Sequence, residues 1–259
     1  MLDIAEIREL LERKSAEYNT PLFIETDPVS VPHLFRKQED REIAGFFAAT
    51  LAWGQRKTII NNALKLMLWM DYSPHDFILN HSRNDLAYFQ HFVHRTFNGS
   101  DCVFFITALR ALYKEFGTME AAFTPEQAEN NQYIKYAISA FRKRFLQISH
   151  PVRSEKHLAD PFANAAAKRL NMFLRWMVRK DDSGVDFGIW KSFSPARLMI
   201  PLDLHTGKTA RQLGLLHRHQ NDWKAVEELT TLLRSFDPLD PVKYDYALFG
   251  MSIALKKRE

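Results

Sequence analysis

Cysteine is almost absent from this chain, since Cys102 is the only one among 259 residues. A single cysteine excludes an internal disulfide, a four-cysteine zinc site and a cysteine-ligated iron–sulfur cluster. Cys102 precedes the apolar run Val103–Phe105, so we interpret it as a core residue rather than a nucleophile. The sequence predicts no cofactor, and any metal ion would need histidine or carboxylate ligands.

Glycine is also scarce, and none of the nine glycines belongs to a phosphate-binding motif. The chain contains neither the G-x-x-x-x-G-K pattern of nucleotide-hydrolysing proteins nor the G-x-G-x-x-G pattern of dinucleotide-binding proteins. These motifs require glycine because backbone N–H groups must approach the phosphates closely. The sequence therefore argues against nucleotide hydrolysis and dinucleotide-dependent chemistry.

No hydrophobic run in the sequence approaches the roughly 20 apolar residues that cross a bilayer. The apolar stretch Ala44–Gly54 ends at Gln55 and Arg56. The first ten residues include acidic side chains and lack the apolar segment of a secretory leader. We therefore expect a cytoplasmic protein without a membrane partner, associated with the nucleoid if it binds DNA.

Positive charge is concentrated in one segment, although the whole chain has a net charge of only +4. Residues 142–180 hold ten lysines and arginines against two acidic residues, which gives a local charge of +8 and leaves −4 for the rest. Clustered positive charge is typical of a polyanion partner, because each neutralised phosphate releases counterions. A solvated helix face is the alternative interpretation.

Apolar residues recur at helical spacing along almost the whole chain, and the sequence shows no period-2 strand pattern. Breaks in the pattern fall at proline- and glycine-containing steps. The pattern predicts an all-α, multi-helical fold. We expect one two-lobed unit over 1–259, with lobes at 36–150 and 151–235, and with 1–35 and 236–259 packing together or on the second lobe.

Two residues of the second half have side chains suited to catalysis. Lys168 stands near the start of an amphipathic helix, where a lysine is most often an ordinary surface residue. Asp203 precedes another helix, where an aspartate most often caps the N–H groups of the first turn. Each residue considered alone therefore has a purely structural interpretation.

Four motifs, in this order along the chain, resemble those of the helix-hairpin-helix DNA glycosylase superfamily. They are Glu42–Gln55, which ends in LAWGQ, then the lysine-containing Lys168–Leu174, then Pro201–His205 followed by Arg211–Leu215, and the closing Tyr244–Gly250. The 35 positions between Lys168 and Asp203 are most similar to the archaeal 8-oxoguanine glycosylase branch. Within the superfamily the chain looks like a member of an uncharacterised bacterial family.

The resemblance implies a two-lobed helical fold, damaged duplex DNA as the partner and base excision repair as the process. In that superfamily the damaged base, here expected to be an oxidised purine, is swung out of the duplex. The resemblance makes Lys168 the nucleophile of a glycosylase with AP lyase activity, and Asp203 the electrostatic group or general base. The side chains expected to contact DNA or line the base pocket are Trp53, Gln55, Asn164, Arg169, Asn171, Arg175, Trp176, Trp190 and His205.

Other interpretations stay open at this point. The helical scaffold could serve a non-catalytic nucleic-acid-binding or interaction protein, in which Lys168 and Asp203 would point to different surfaces. His91 and His94, one helical turn apart, could begin a metal site, although no third ligand follows at a recognisable spacing. Asn164 stands where the superfamily's hairpin has glycine, and asparagine tolerates the left-handed conformation of such a turn less readily than glycine does.

Overall fold

The computed structural model describes residues 3–126 and 133–256. Strands occur in this part of the chain only as one antiparallel hairpin, formed by β1 (Val93–His94) and β2 (Phe97–Asn98). The prediction of an all-α fold is confirmed. Among the described helices, none combines the length and the hydrophobicity needed to span a membrane.

The described α-helices are short to medium in length. In chain order they are α1 (Ile4–Tyr18), α2 (Pro21–Thr26), α3 (Ser30–His33), α4 (Gln38–Thr50), α5 (Arg56–Trp69), α6 (Pro74–Asn80), α7 (Gly99–Phe116), α8 (Met119–Phe123), α9 (Tyr133–Phe145), α10 (Lys168–Val178), α11 (Leu204–Gln212), α12 (Trp223–Phe236) and α13 (Tyr244–Lys256). Short 3-10 helices lie at Asp85–His91, Val152–His157, Pro161–Ala163, Pro195–Arg197 and Pro241–Lys243.

The chain divides into two compact units. Unit 1 combines Met1–Phe23 with Asp160–Glu259, and unit 2 is Ile24–Ala159. Residues 24–35, expected to pack with 236–259 or on the second lobe, belong to unit 2 in the structure. So does the segment 151–159, expected in the second lobe. It is held there because Ser154 donates its hydroxyl to the buried Asp101 at 2.7 Å.

Unit 2 packs around a group of phenylalanine rings from α4, α7 and α9. Phe46 stacks on Phe105 with 5.8 Å between the ring centroids, and it meets Phe141 edge-on at 5.4 Å. Phe145 lies 4.9 Å from Phe105 and closes the group. These four side chains are fully buried, so the helical spacing of the apolar residues has placed them on faces that meet in the core.

In unit 1, α13 packs against both α1 and α11. Gly250 permits the close approach of α13 to α1, because a Cβ at this position would lie 2.3 Å from the Cδ2 atom of the Tyr18 ring. The core of the same unit includes Phe173 of α10, whose ring meets Trp190 edge-on at 5.4 Å. Helices α10, α11 and α13 all belong to unit 1, and the candidate site lies on those helices.

Candidate active site

Lys168 and Asp203 are neighbours in unit 1 although they lie 35 positions apart in the sequence. The Nζ atom of Lys168 is 3.9 Å from Oδ2 of Asp203, and each side chain is 24% exposed. The two groups face each other, partly shielded from water and still accessible. This geometry argues against the hypothesis that they point to different surfaces.

Lys168 is held in place by the first turn of α10. Ala167, the residue before it, is buried and adopts a left-handed conformation with φ of 47°, which costs an L-residue roughly 1–2 kcal/mol. The Lys168 ammonium also contacts Sδ of Met172, one turn further on, at 3.3 Å. Because the N-terminal end of a helix carries partial positive charge, α10 itself does not favour a cation at this position.

Asp203 uses its two carboxylate oxygens for different partners. Oδ1 accepts the backbone N–H groups of His205 at 2.8 Å and Thr206 at 3.0 Å, which caps α11. Oδ2 is the oxygen nearest to Lys168. The capping role and the proposed electrostatic role are therefore compatible in one residue.

Asp245 is a charged residue near this pair that the sequence analysis missed. It is buried in α13, where its Oδ1 accepts the hydroxyl of Thr206 at 3.1 Å and its Oδ2 pairs with the guanidinium of Arg175. Burial raises the pKa of Asp245 to about 6, the Asp203 charge adds to this rise, and Arg175 and Lys168 oppose it. The only sequence signal was its place in the closing motif, because its partners lie far away along the chain.

Arg175 belongs to a buried ion-pair network and is not placed to contact DNA. Its Nε donates to Asp186 at 3.3 Å, in addition to the pairing with Asp245. Arg179, one turn further along α10, pairs with the other oxygen of Asp186 at 3.1 Å. The ring of Tyr246 lies 4.3 Å from the Arg175 guanidinium carbon. The sequence-based assignment of Arg175 to DNA is therefore corrected to an internal role.

Three further residues that were expected at the DNA or in the pocket are buried. Trp176 is 0% exposed and Trp190 is 1% exposed, whereas a wedge between bases requires an exposed side chain. Asn171 is also buried, and its Nδ2 donates to the carbonyl of Ala166 at 3.1 Å. We therefore assign the two tryptophans to the core of unit 1. Asn171 binds, through its side chain, the turn that precedes Lys168.

Asn164 adopts the left-handed conformation that the superfamily's glycine would take, with φ of 61°. Its Nδ2 donates to Asp222 at 3.0 Å and its Oδ1 accepts the N–H of Lys224 at 3.3 Å. Both ends of the side chain are thus used to join the hairpin-like stretch to the start of α12. Asn164 has a structural role here rather than the phosphate contact expected from the sequence.

Arg169 and His205 flank the candidate pair on the two helices that carry it. Arg169 follows Lys168 in α10, and burial lowers its pKa to about 10. The half-buried His205 lies in the first turn of α11, with Nδ1 3.0 Å from the hydroxyl of Ser252. Both residues remain candidates for contacts with a substrate.

Trp53 and Gln55 lie between α4 and α5 in unit 2. The half-buried Trp53 ring stacks on His157 at 5.9 Å and meets His94 edge-on at 5.0 Å. Gln55 is exposed at the N-terminus of α5 and makes no capping hydrogen bond with its side chain. Gln55 is therefore available to a partner, whereas most of Trp53 packs against its own unit.

The histidine pair proposed as a metal site does not lie on one helix. His91 ends a 3-10 helix, while His94 lies in β1. The Nε2 atom of His94 donates to the carbonyl of Trp53 at 3.3 Å, and its Nδ1 accepts from Asn62 at 2.8 Å. Burial lowers the pKa of His94. Within residues 3–126 and 133–256 no group of three metal-binding side chains is placed to hold an ion.

Cys102 is buried, as anticipated, and burial raises the pKa of its thiol.

Much of the positive charge of residues 142–180 is neutralised within each unit. In unit 2, Arg142 pairs with Glu155 at 2.8 Å and Arg153 pairs with Asp101 at 2.6 Å. In unit 1, Arg175 and Arg179 pair with buried aspartates as described above. The exposed basic residues of the segment include Lys143, Lys156 and Lys180. The charge run is therefore largely a set of structural ion pairs.

Comparison with known proteins adds a family but no activity. Residues 27–254 match the model of a family described as "Protein of unknown function (DUF2400)". No curated protein and no solved structure matches the chain. The matched range includes Lys168, Asp203 and Asp245, and it covers well over half of the chain. This protein therefore belongs to the DUF2400 family of proteins of unknown function.

Proposed function

We propose that this protein is a DNA glycosylase with AP lyase activity, acting on a damaged base in duplex DNA. The observation that carries the proposal is the distance of 3.9 Å between Lys168 Nζ and Asp203 Oδ2 in a partly exposed position. An amine next to a carboxylate is what covalent attack at C1′ of a nucleotide requires. The order of the four sequence motifs supports the same class of reaction.

The reaction would use each group for a defined step. The neutral Nζ of Lys168 attacks C1′ while the glycosidic C–N bond breaks, and the bond electrons leave with the base, which takes up a proton. Oδ2 of Asp203 stabilises the positive charge that develops at C1′ and then accepts the proton released by Nζ. Breakage of the C1′–O4′ bond with protonation of O4′ gives a Schiff base. A base then removes a C2′ proton, the C2′–C3′ double bond forms, and the C3′–O bond breaks with release of the 3′ phosphate.

The substrate class follows from the resemblance in spacing, which favours an oxidised purine. Recognition requires the base to leave the stack, at a cost of a few kcal/mol. Arg169 and His205 flank the candidate pair in unit 1, and Gln55 is exposed in unit 2. These three side chains are the proposed DNA contacts that the geometry leaves in place.

The test is borohydride trapping with duplexes that carry 8-oxoguanine, uracil, thymine glycol or an abasic site. Borohydride reduces the Schiff base to a stable amine, so we expect a covalent adduct with wild-type protein and none with Lys168→Ala. Lys208→Ala is the matched control, because Lys208 is an exposed lysine of α11 close in sequence to Asp203. Equal trapping by Lys168→Ala and wild type would remove Lys168 from the mechanism.

Non-catalytic nucleic-acid binding is the second candidate. It is favoured by the fact that both residues have structural partners, since Asp203 caps α11 and Lys168 contacts Met172. Under this hypothesis the wild-type protein binds duplex DNA but gives neither cleavage nor an adduct with any of the four substrates. The same trapping experiment therefore separates the two candidates.

A further inference from the structure

Asp245 joins three helices of unit 1 at one buried point. It is the second residue of α13, and its side chain reaches Thr206 of α11 through a hydrogen bond of 3.1 Å. Its other oxygen pairs with the guanidinium of Arg175 in α10. A buried carboxylate needs such partners, because burial of an unpaired charge is strongly unfavourable. Asp245 thus links the two helices that carry Lys168 and Asp203.

The two partners of Asp245 lie on the elements that carry Lys168 and Asp203. Thr206 holds Asp203 with its backbone N–H at 3.0 Å and holds Asp245 with its hydroxyl. Arg175 follows Lys168 by seven residues, which is two helical turns, so both side chains project from the same face of α10. The contacts of Asp245 therefore bear on the position of both members of the pair.

Asp245 also acts on the pair through its charge. The charged groups that face Asp245 are Arg175 and Lys168 from α10 and Asp203 at the start of α11. Asp186 forms an ion pair with Arg175. The Lys168 charge favours the ionised form of Asp245, and the Asp203 charge disfavours it. A buried ion pair is seldom required for stability alone, since well-packed apolar residues often stabilise a core equally well.

We propose that Asp245 is a positioning residue that holds Lys168 and Asp203 at reacting distance through Arg175 and Thr206. The inference rests on the proposed glycosylase function, because its readout is the reaction of Lys168. Asp245 itself touches neither the substrate nor the reacting atoms in this role. Its effect is to fix the distance between amine and carboxylate.

The first test compares Thr206→Val with Thr206→Ser in single-turnover trapping on an abasic-site duplex. Valine removes the hydroxyl that holds Asp245, while the backbone N–H of residue 206 still caps α11; serine keeps both. We expect Thr206→Val to slow trapping about 10-fold to 100-fold, because displacement of reacting groups by about 1 Å has effects of this size. Thr206→Ser should stay within about twofold of wild type, and duplex affinity should be unchanged in both.

The second test is the pH profile of trapping by Asp245→Asn. Burial raises the pKa of Asp245 to about 6, so its protonation below this pH should weaken the pairing with Arg175 and slow trapping by the wild type. Asp245→Asn should lack this inflection near pH 6. A purely structural role would lower the rate of Asp245→Asn at all pH values and leave the shape of the profile unchanged. The Lys208→Ala protein, measured in parallel, should retain the wild-type profile.

The outcomes separate this inference from the proposed function. A wild-type protein that forms no adduct overturns both. Suppose instead that the wild type forms the adduct, and that Thr206→Val and Asp245→Asn react at the wild-type rate and with the wild-type pH profile. This result overturns only the role of Asp245. If Asp245→Asn does not fold, the comparison of Thr206→Val with Thr206→Ser decides, because equal rates in those two variants would overturn the inference.

Discussion

Asp203 binds the backbone N–H of Thr206 at 3.0 Å through one carboxylate oxygen and turns the other oxygen towards the Lys168 amine. One side chain thus serves both the folding of α11 and the chemistry proposed for the site. The two roles require different properties. Capping needs an acceptor oxygen, whereas stabilisation of positive charge at C1′ needs a carboxylate.

Replacement of Asp203 separates these roles. We expect Asp203→Asn to keep the cap, because asparagine is as good an N-cap as aspartate, and to change the free energy of unfolding by less than about 0.5 kcal/mol. The same variant should lose about 100-fold in single-turnover base release, because the charge is gone. Asp203→Ala should lose both the activity and about 1 kcal/mol of stability.

Denaturant unfolding and base-release kinetics on the three proteins check this prediction. Asp203→Asn with wild-type kinetics would show that the carboxylate is a cap and no more. A matched loss of stability in Asp203→Asn and Asp203→Ala would instead contradict the capping geometry.

Asp245 should give the protein a measurable dependence of stability on pH. Burial raises the pKa of Asp245 to about 6, above the value of about 4 in an unfolded chain. The folded protein therefore binds more protons than the unfolded chain between these pH values. The contribution of Asp245 to the free energy of unfolding should fall as pH rises from about 4 to 6, by on the order of 3 kcal/mol, and stay constant above.

The difference in unfolding free energy between wild type and Asp245→Asn, measured from pH 4 to pH 8, checks the sign. Loss of the Arg175 contact displaces the whole curve of the variant, so the diagnostic is the slope and not the offset. Asp222 provides a contrast of opposite sign, because a hydrogen bond from Arg218 holds its pKa well below the usual range. The contribution of Asp222 to the free energy of unfolding should fall as the solution is acidified. If the difference in unfolding free energy between wild type and Asp245→Asn also fell on acidification, the raised pKa of Asp245 would be refuted.

Gly250→Ala should destabilise the protein because the new Cβ would overlap the Tyr18 ring. Overpacking of this kind costs about 1–3 kcal/mol, whereas alanine in place of a helical glycine contributes up to about 1 kcal/mol of stability. We therefore expect a net loss of about 1–2 kcal/mol in the free energy of unfolding.

A double-mutant cycle with Tyr18→Ala gives the decisive control. In that background the ring is absent, so Gly250→Ala should become neutral or stabilising by up to about 1 kcal/mol. The same destabilisation in both backgrounds would mean that the effect does not arise from the contact between α13 and α1.

The salt dependence of duplex binding should be shallow for a protein with this charge run. Contact by all ten basic residues of 142–180 would give a slope of about −9 in log Kobs against log salt, whereas contact by Lys143, Lys156 and Lys180 alone gives about −3. We expect a slope much nearer −3 than −9 for this segment, because Arg142, Arg153, Arg175 and Arg179 pair internally. Titrations of a labelled duplex between 50 and about 300 mM salt test this, and a slope near −9 would refute the assignment.

Gln55 should matter for DNA and not for folding. Its side chain is exposed and makes no capping hydrogen bond, so Gln55→Ala should leave the thermal midpoint unchanged. We expect base release to slow by about 10-fold if the side chain contacts the duplex, which corresponds to about 1.4 kcal/mol. Gln147→Ala, another exposed glutamine of unit 2, is the control; equal rates in the two variants would remove Gln55 from the interface.

Some features of the structure could be predicted from the sequence because they depend on neighbouring residues. The helical class follows from the spacing of apolar residues, and the cap at Asp203 follows from an aspartate placed directly before a helix. The burial of Cys102 was likewise inferred from local sequence, whereas the position of the turn at Asn164 came from the family resemblance.

Other features were decided only by the tertiary structure, because they join residues far apart in the chain. The sequence alone did not establish that Lys168 faces Asp203, and it assigned Arg175, Trp176 and Trp190 to DNA although they are buried. An arginine or tryptophan looks the same in a sequence whether it meets a partner from another helix or a ligand. Asp245 escaped notice for the same reason, since its partners come from α10 and α11 and only packing brings the three helices together.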